Sequence, residues 1–239
     1  MQTRHLRIER NFTLVQEDKR VPEEAARNRM NARRLPDLTG LIRDVVLFGI
    51  FQFFLLTFLA AFFYPGGYDY FTYYFSELGA VFARNSDANT FSATLFFIAL
   101  TAVSITLILF WLSLLKYFNK SKLERILSLF GFGMGLLCTP LLIGVALFPL
   151  DTQLEVHFVF VMAHFLLFSL AILLYSIIFI LDGQNSWPLA FFGLVTLAIG
   201  VFLMVDPMSP NAPFLQKVVV YSYFIWVGAV TCAPKSHTV

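Results

Sequence analysis

The sequence predicts an all-α fold, a polytopic membrane bundle of six transmembrane helices with the N- and C-termini cytoplasmic. Three observations carry that expectation. Hydrophobic residues make up 58% of the chain and charged residues only 13%, against about 25% charged in soluble domains, and 239 residues cannot hide so much apolar surface from water. Six stretches approach or exceed the roughly 20 apolar residues that a spanning helix needs. Basic residues then collect on one side of those stretches, as the asymmetry of membrane insertion requires.

The spans are expected at 41–64, 90–115, 126–148, 156–181, 187–205 and 214–233. Turn-forming residues separate them. Pro65-Gly66-Gly67 ends the first, Pro149 the third, and Asp182-Gly183-Gln184-Asn185 divides the fourth from the fifth. Asp206-Pro207 closes the fifth, and Pro234 follows the sixth. Residues 41–235 therefore form the six-helix domain, and 1–40 a polar, basic cytoplasmic tail. Within the tail, residues 22–35 suit a short helix whose Arg27, Arg29, Arg33 and Arg34 lie near anionic headgroups.

Orientation follows from Lys and Arg. The tail and its junction with the first span hold ten of the 17, and the second-to-third loop adds Lys116, Lys120, Lys122 and Arg125. The opposite loops hold only Arg84 and Lys217, so the N-terminus is expected in the cytoplasm and the cell membrane is the expected location. The sequons at Asn11 and Asn119 would then face the cytoplasm and carry no glycans. A tail that mixes Arg with Glu9, Glu17, Asp18, Glu23 and Glu24 and lacks an apolar core reads neither as a secretory signal nor as a transit peptide. Cys138 and Cys232 fall inside spans and read as small buried apolar residues. Gly131 and Gly135 give one span a Gly-x-x-x-Gly pair, expected to bring helices close within the bundle.

Polar side chains gather on the non-cytoplasmic side, where burial in hydrocarbon makes each one informative. Phe71, Tyr74, Phe75, Leu78 and Phe82 follow a helical spacing, which predicts an interfacial helix with its aromatic face in lipid. Ser76, Glu77, Asp151, His157, Gln216 and Lys217 are the candidate ligand-binding residues, with Glu77, Asp151, His157 and Lys217 expected to meet in one outward-facing pocket. Glu77 has an alternative partner in Arg84, seven residues on. His157 and His164 share a helix face but lie about 10.5 Å apart along it, too far to bind one metal ion, so no metal is assigned. Ser76 lacks a nucleophile elbow, and no glycine-rich phosphate loop is present, so no cofactor and no nucleic-acid partner is expected.

Ser76-Glu77-Leu78-Gly79-Ala80, the run from Gly144 through Phe148-Pro149-Leu150-Asp151 to His157, and Gln216-Lys217 together resemble a six-helix membrane family of unknown function from archaea and bacteria. The resemblance covers about residues 41–233. It is similar, more distantly, to the DRAM/Frag/Sfk membrane proteins, which implies a six-helix core and an association with lipid handling or membrane trafficking. Lys217 stands where the family usually has Arg, which removes a bidentate contact there. The expected role is an integral membrane protein that handles lipid, its partners being membrane lipids, with a homo-oligomer or larger membrane complex left open. The alternative is a membrane-embedded hydrolase of lipid or amide bonds using His157 with Glu77 or Asp151, and the third a transporter or a structural subunit.

Overall fold

A computed structural model describes residues 38–115, 117–118, 121–183 and 186–233. The expected tail helix, its arginine cluster and both sequons lie outside the described residues. The chain divides into two units, Met1–Leu41 and Ile42–Val239. Of the first, only the opening turn of one helix is described, and the account that follows concerns the second.

Six helices are present: α1 (Leu38–Phe62), α2 (Thr90–Leu114), α3 (Lys122–Leu147), α4 (Leu154–Asp182), α5 (Trp187–Val205) and α6 (Ala212–Cys232). Each is long and apolar enough to cross a membrane. The shortest has 19 residues, about 28 Å of helix at 1.5 Å per residue, close to the roughly 30 Å hydrocarbon thickness. Their ends follow local chemistry. The Ser121 hydroxyl accepts the Glu124 N–H at 3.1 Å and starts α3 one turn earlier than its apolar run. Gly183, at φ 63°, caps α4 in the left-handed region that favours glycine. Prolines at the first turns of α5 and α6 occupy positions whose N–H has no helical partner.

Sequence neighbours pack in turn from α2 to α6, with α3 and α4 the most extensive pair. α1 closes the ring. Its Gly49 lies against Thr106 of α2, and the Phe53 ring packs at a 40° tilt against Phe224 of α6, centroids 4.2 Å apart. Even-numbered helices form the interior. Trp111 of α2 meets Phe168 and Tyr175 of α4, while Tyr223 of α6 lies parallel to Phe168 at 4.4 Å and shares a 2.6 Å hydrogen bond with Ser169. Accordingly about half of the apolar window is buried in α2, α4 and α6 (50%, 56% and 50%), against 39%, 33% and 28% in α1, α3 and α5. The remaining apolar surface, including Phe48, Phe58, Leu129, Phe130, Phe191 and Phe202, faces outward, as a lipid-facing surface should.

The glycine pair in α3 packs within the bundle as expected. Gly131 lies under the Tyr175 ring and Gly135 under the fully buried Trp111, where any side chain would overlap the indole.

Candidate functional site

The long loop between α1 and α2 folds back over one end of the bundle. Gly66 and Gly67, at φ 79° and 89°, reverse the chain after α1. A short 3-10 helix, Phe75–Gly79, then runs across the helix ends, and the chain reaches α2 through an isolated antiparallel bridge between Phe82 and Ala88. This corrects the expectation of a lipid-facing interfacial helix. Phe75 and Leu78 point inward, 4% and 1% exposed, and Phe75 meets Phe53, Phe96 and Tyr221. Their periodic spacing records burial against the bundle, and only Phe71 and Phe82 are exposed.

Side chains from four parts of the sequence hold this cap. The Gln216 carbonyl oxygen accepts the Phe75 N–H at 2.7 Å. Both Asp151 oxygens accept backbone N–H groups, from Val81 at 3.0 Å and Phe82 at 2.9 Å. The Tyr74 hydroxyl donates to the Pro207 carbonyl at 3.0 Å. Asn89, fully buried, donates to the Leu78 and Ala80 carbonyls at 3.1 and 3.0 Å, and Ser92 donates to Leu78 as well. Asn89 and Ser92 are anchors that sequence reasoning missed, because an Asn before a helix reads as a cap; here no cap hydrogen bond forms from its side chain.

Glu77 lies at the centre. Its carboxylate accepts the Tyr74 N–H at 2.8 Å and two bonds from Arg84, Nε and Nη2 each at 2.7 Å. Such a two-pronged contact is the strong geometry for this pair, and it raises the Arg84 guanidinium above its ordinary value. The Arg84 guanidinium also lies 4.2 Å over the Tyr73 ring. Burial raises the phenols of Tyr64, Tyr68 and Tyr74, so all three keep their protons at neutral pH. On the exposed turn, the Phe71 N–H and the Thr72 hydroxyl hold Asp69 below its usual range.

Beneath the cap is a cleft of about 960 Å³, at the upper end of the ~300–1,000 Å³ of small-molecule sites. Ser76, Glu77, Asp151, His157 and Gln216, five of the six candidate residues, line it together with Arg84. Lys217 does not. Adjacent helical residues point about 100° apart, so where Gln216 faces the cleft, Lys217 turns under the loop. There it donates to the Tyr73 and Pro213 carbonyls and lies 5.3 Å from the centre of the Tyr68 ring. The lysine is therefore a strap for the cap and does not meet Glu77, Asp151 and His157 in the cleft.

His157 is 2% exposed. Its Nδ1 donates to the Phe148 carbonyl at 2.7 Å, while Nε2 is buried with no hydrogen-bond partner among the described residues. A carbonyl only accepts, so this bond leaves Nε2 with the lone pair in the neutral ring. His164 makes the corresponding bond one level deeper, from Nδ1 to the Cys138 carbonyl at 2.9 Å. The two histidines thus tie α4 to α3. Ser76 is a buried residue at the cleft wall, and its hydroxyl makes no hydrogen bond to the described residues.

Away from the mouth the cleft is apolar. Phe158, Val161, Met162 and Phe165 form one stripe of α4, faced by Leu203 of α5. From His157 to Phe165 the stripe extends about 12 Å along the helix. A smaller chamber of about 30 Å³ adjoins it, with Ser76, Gln216, His164 and Tyr223 as its polar walls; a water needs roughly 10–15 Å³ of such space. Among the described residues, no three His, Cys, Asp or Glu side chains are grouped to hold a metal ion.

Six helices fit for a bilayer, with a polar-mouthed cleft closed by an inward-folded loop, define a multi-pass integral membrane protein. Residues 47–233 match the family described as "Protein of unknown function (DUF998)", and the chain belongs to it. No curated protein matches the chain, and no solved structure does.

Proposed function

We propose that the protein binds a single membrane amphiphile in the cleft and serves a lipid-handling role. The observation that carries this reading is the division of the cleft: charged and hydroxyl groups of Glu77, Arg84, Asp151 and Ser76 at one part, and the stripe from Phe158 to Phe165 at the other. A water-soluble ligand would leave that stripe unused, and a plain hydrocarbon would strand the polar groups. A lipid, with a headgroup and a chain, satisfies both. An outward-facing mouth goes with this reading, because in the sequence Lys and Arg are concentrated before and at the start of the first helix and in the loop between α2 and α3, the pattern of cytoplasmic segments.

The test is native mass spectrometry of protein purified in mild detergent. Bound phospholipid is expected at about one per chain, and it is lost in Met162→Trp, which fills the apolar wall. Equal lipid retention by the wild type and by a correctly folded Met162→Trp variant refutes the assignment.

A second reading, hydrolysis of a lipid ester or amide, is favoured by one observation: the unpartnered Ser76 hydroxyl and the unpartnered Nε2 of His157 belong to the same cleft. In it His157 is the general base. Turnover of lipid substrates that vanishes in both Ser76→Ala and His157→Gln is the expected result, and turnover unaffected by either removes it.

A further inference from the structure

We infer that the cleft selects a zwitterionic phospholipid whose headgroup carries a primary ammonium, as an ethanolamine headgroup does. This rests on the lipid-binding reading above and adds the headgroup.

The argument is one of charge and donor count. Three formal charges line the cleft. Glu77 and Arg84 cancel through their paired bonds, which leaves Asp151 unmatched: among the described residues no cation lies within ion-pair distance of it. Each Asp151 oxygen accepts one backbone N–H, and a carboxylate oxygen has lone pairs for a second donor. Arg84 spends Nε and Nη2 on Glu77, with Nη2 also reaching the Thr72 carbonyl. Its Nη1, with two N–H groups, makes no bond to the described protein. The side chain is 48% exposed, so that edge is accessible.

One acceptor-rich anion and one free guanidinium edge therefore share a mouth. Their backbones are joined through the cap, because Asp151 holds the Phe82 N–H and the Arg84 Cα follows two residues later, at most about 7 Å along the chain. A phosphate takes the Nη1 edge and an ammonium takes Asp151. The alternatives each leave one group unanswered. A glycerol headgroup brings the phosphate charge but nothing positive for Asp151, and the net site charge repels it. A trimethylammonium matches the charge yet has no N–H to donate to the open lone pairs. A cationic amphiphile leaves Arg84 without an anion.

The experiment uses the full chain, exchanged into mixed micelles containing equal amounts of ethanolamine, choline and glycerol phospholipids with identical acyl chains. Lipid that remains bound is then quantified by native mass spectrometry. The ethanolamine lipid is expected at least three-fold enriched over each competitor, and Asp151→Asn is expected to bring its share toward that of the choline lipid. Choline or glycerol lipid bound equally well or better by the wild type overturns the headgroup assignment, while lipid binding itself stands. No bound lipid of any class removes the lipid-binding reading and this inference with it. The wild-type ratio decides the matter whether or not Asp151→Asn folds.

Discussion

Breaking the Glu77–Arg84 pair tests how the cap is held. Glu77 is 8% exposed on its side chain and Arg84 48%, so the pair is neither a surface bridge nor a sealed one. Exposed pairs contribute ~0.2–1 kcal/mol, while removing one member of a buried pair costs about 3–5 kcal/mol. Two charge-assisted bonds at 2.7 Å, weakened by water on the arginine side, place the coupling energy between them, at about 1.5 kcal/mol. Glu77→Ala should cost more than the coupling, about 3 kcal/mol, because the Tyr74 N–H also loses its acceptor, worth roughly 1–2 kcal/mol. Arg84→Ala should cost less than Glu77→Ala, because the buried Glu77 carboxylate keeps the Tyr74 N–H as a donor. Equilibrium unfolding in mixed micelles, followed by circular dichroism for the two single variants and the double variant, gives the coupling directly. A coupling below about 0.5 kcal/mol is what a fully solvated pair gives, and it would refute the placement of Glu77 as the enclosed centre of the cap.

Four further outcomes follow from the packing and the helix order. Gly135→Ala drives a methyl into the Trp111 ring and should cost about 1–3 kcal/mol in the same unfolding assay. Gly133→Ala, with open space at that position, should instead be neutral or gain up to ~1 kcal/mol from helix propensity. Thr196→Val removes a fully buried hydroxyl that lacks a partner among the described residues, so stability should hold or rise by up to ~1 kcal/mol; a comparable loss would mean that an internal water serves it. Exposed Cys232 ends α6 at the far end from Gln216 and the cap, whereas Cys138 is buried. A membrane-impermeant maleimide should label Cys232 only after the cells are permeabilised, and labelling of intact cells would invert the orientation.

The helices were legible in the sequence because one strong signal, apolar length, decides them. Trp187–Val205 coincides with its expected span, and the other boundaries shift by a few residues where caps such as Ser121 extend the helix beyond its apolar run. Five of the six candidate residues line the cleft, and they stood out in the sequence for a different reason: a polar group in an apolar chain is conspicuous. What failed was direction. The spacing of Phe75 and Leu78 says that one face is apolar, and the same pattern serves a lipid-facing or an inward-facing segment. Gln216 and Lys217 are neighbours in sequence, yet a helix turns them to different surroundings. The cleft's apolar wall was invisible altogether, since Phe158, Val161, Met162 and Phe165 look like every other turn of α4.

The anchors of the cap also bear on biogenesis. Val81 is held by a residue 70 positions away, Phe75 by one 141 away, and Tyr73 by Lys217, 144 away. Contacts that distant in sequence cannot form until the intervening chain has been made. The loop emerges early in synthesis, right after α1, but its last fasteners lie on the final helix. It must therefore wait, unclasped, while four more helices insert. In a ribosome-bound chain truncated before Gln216, a protease should still cut between residues 74 and 80, and release of the complete chain should close that window, which is buried or half-buried in the finished fold. The cap thus works as a built-in completion signal, in which protection of an early segment reports arrival of the last one.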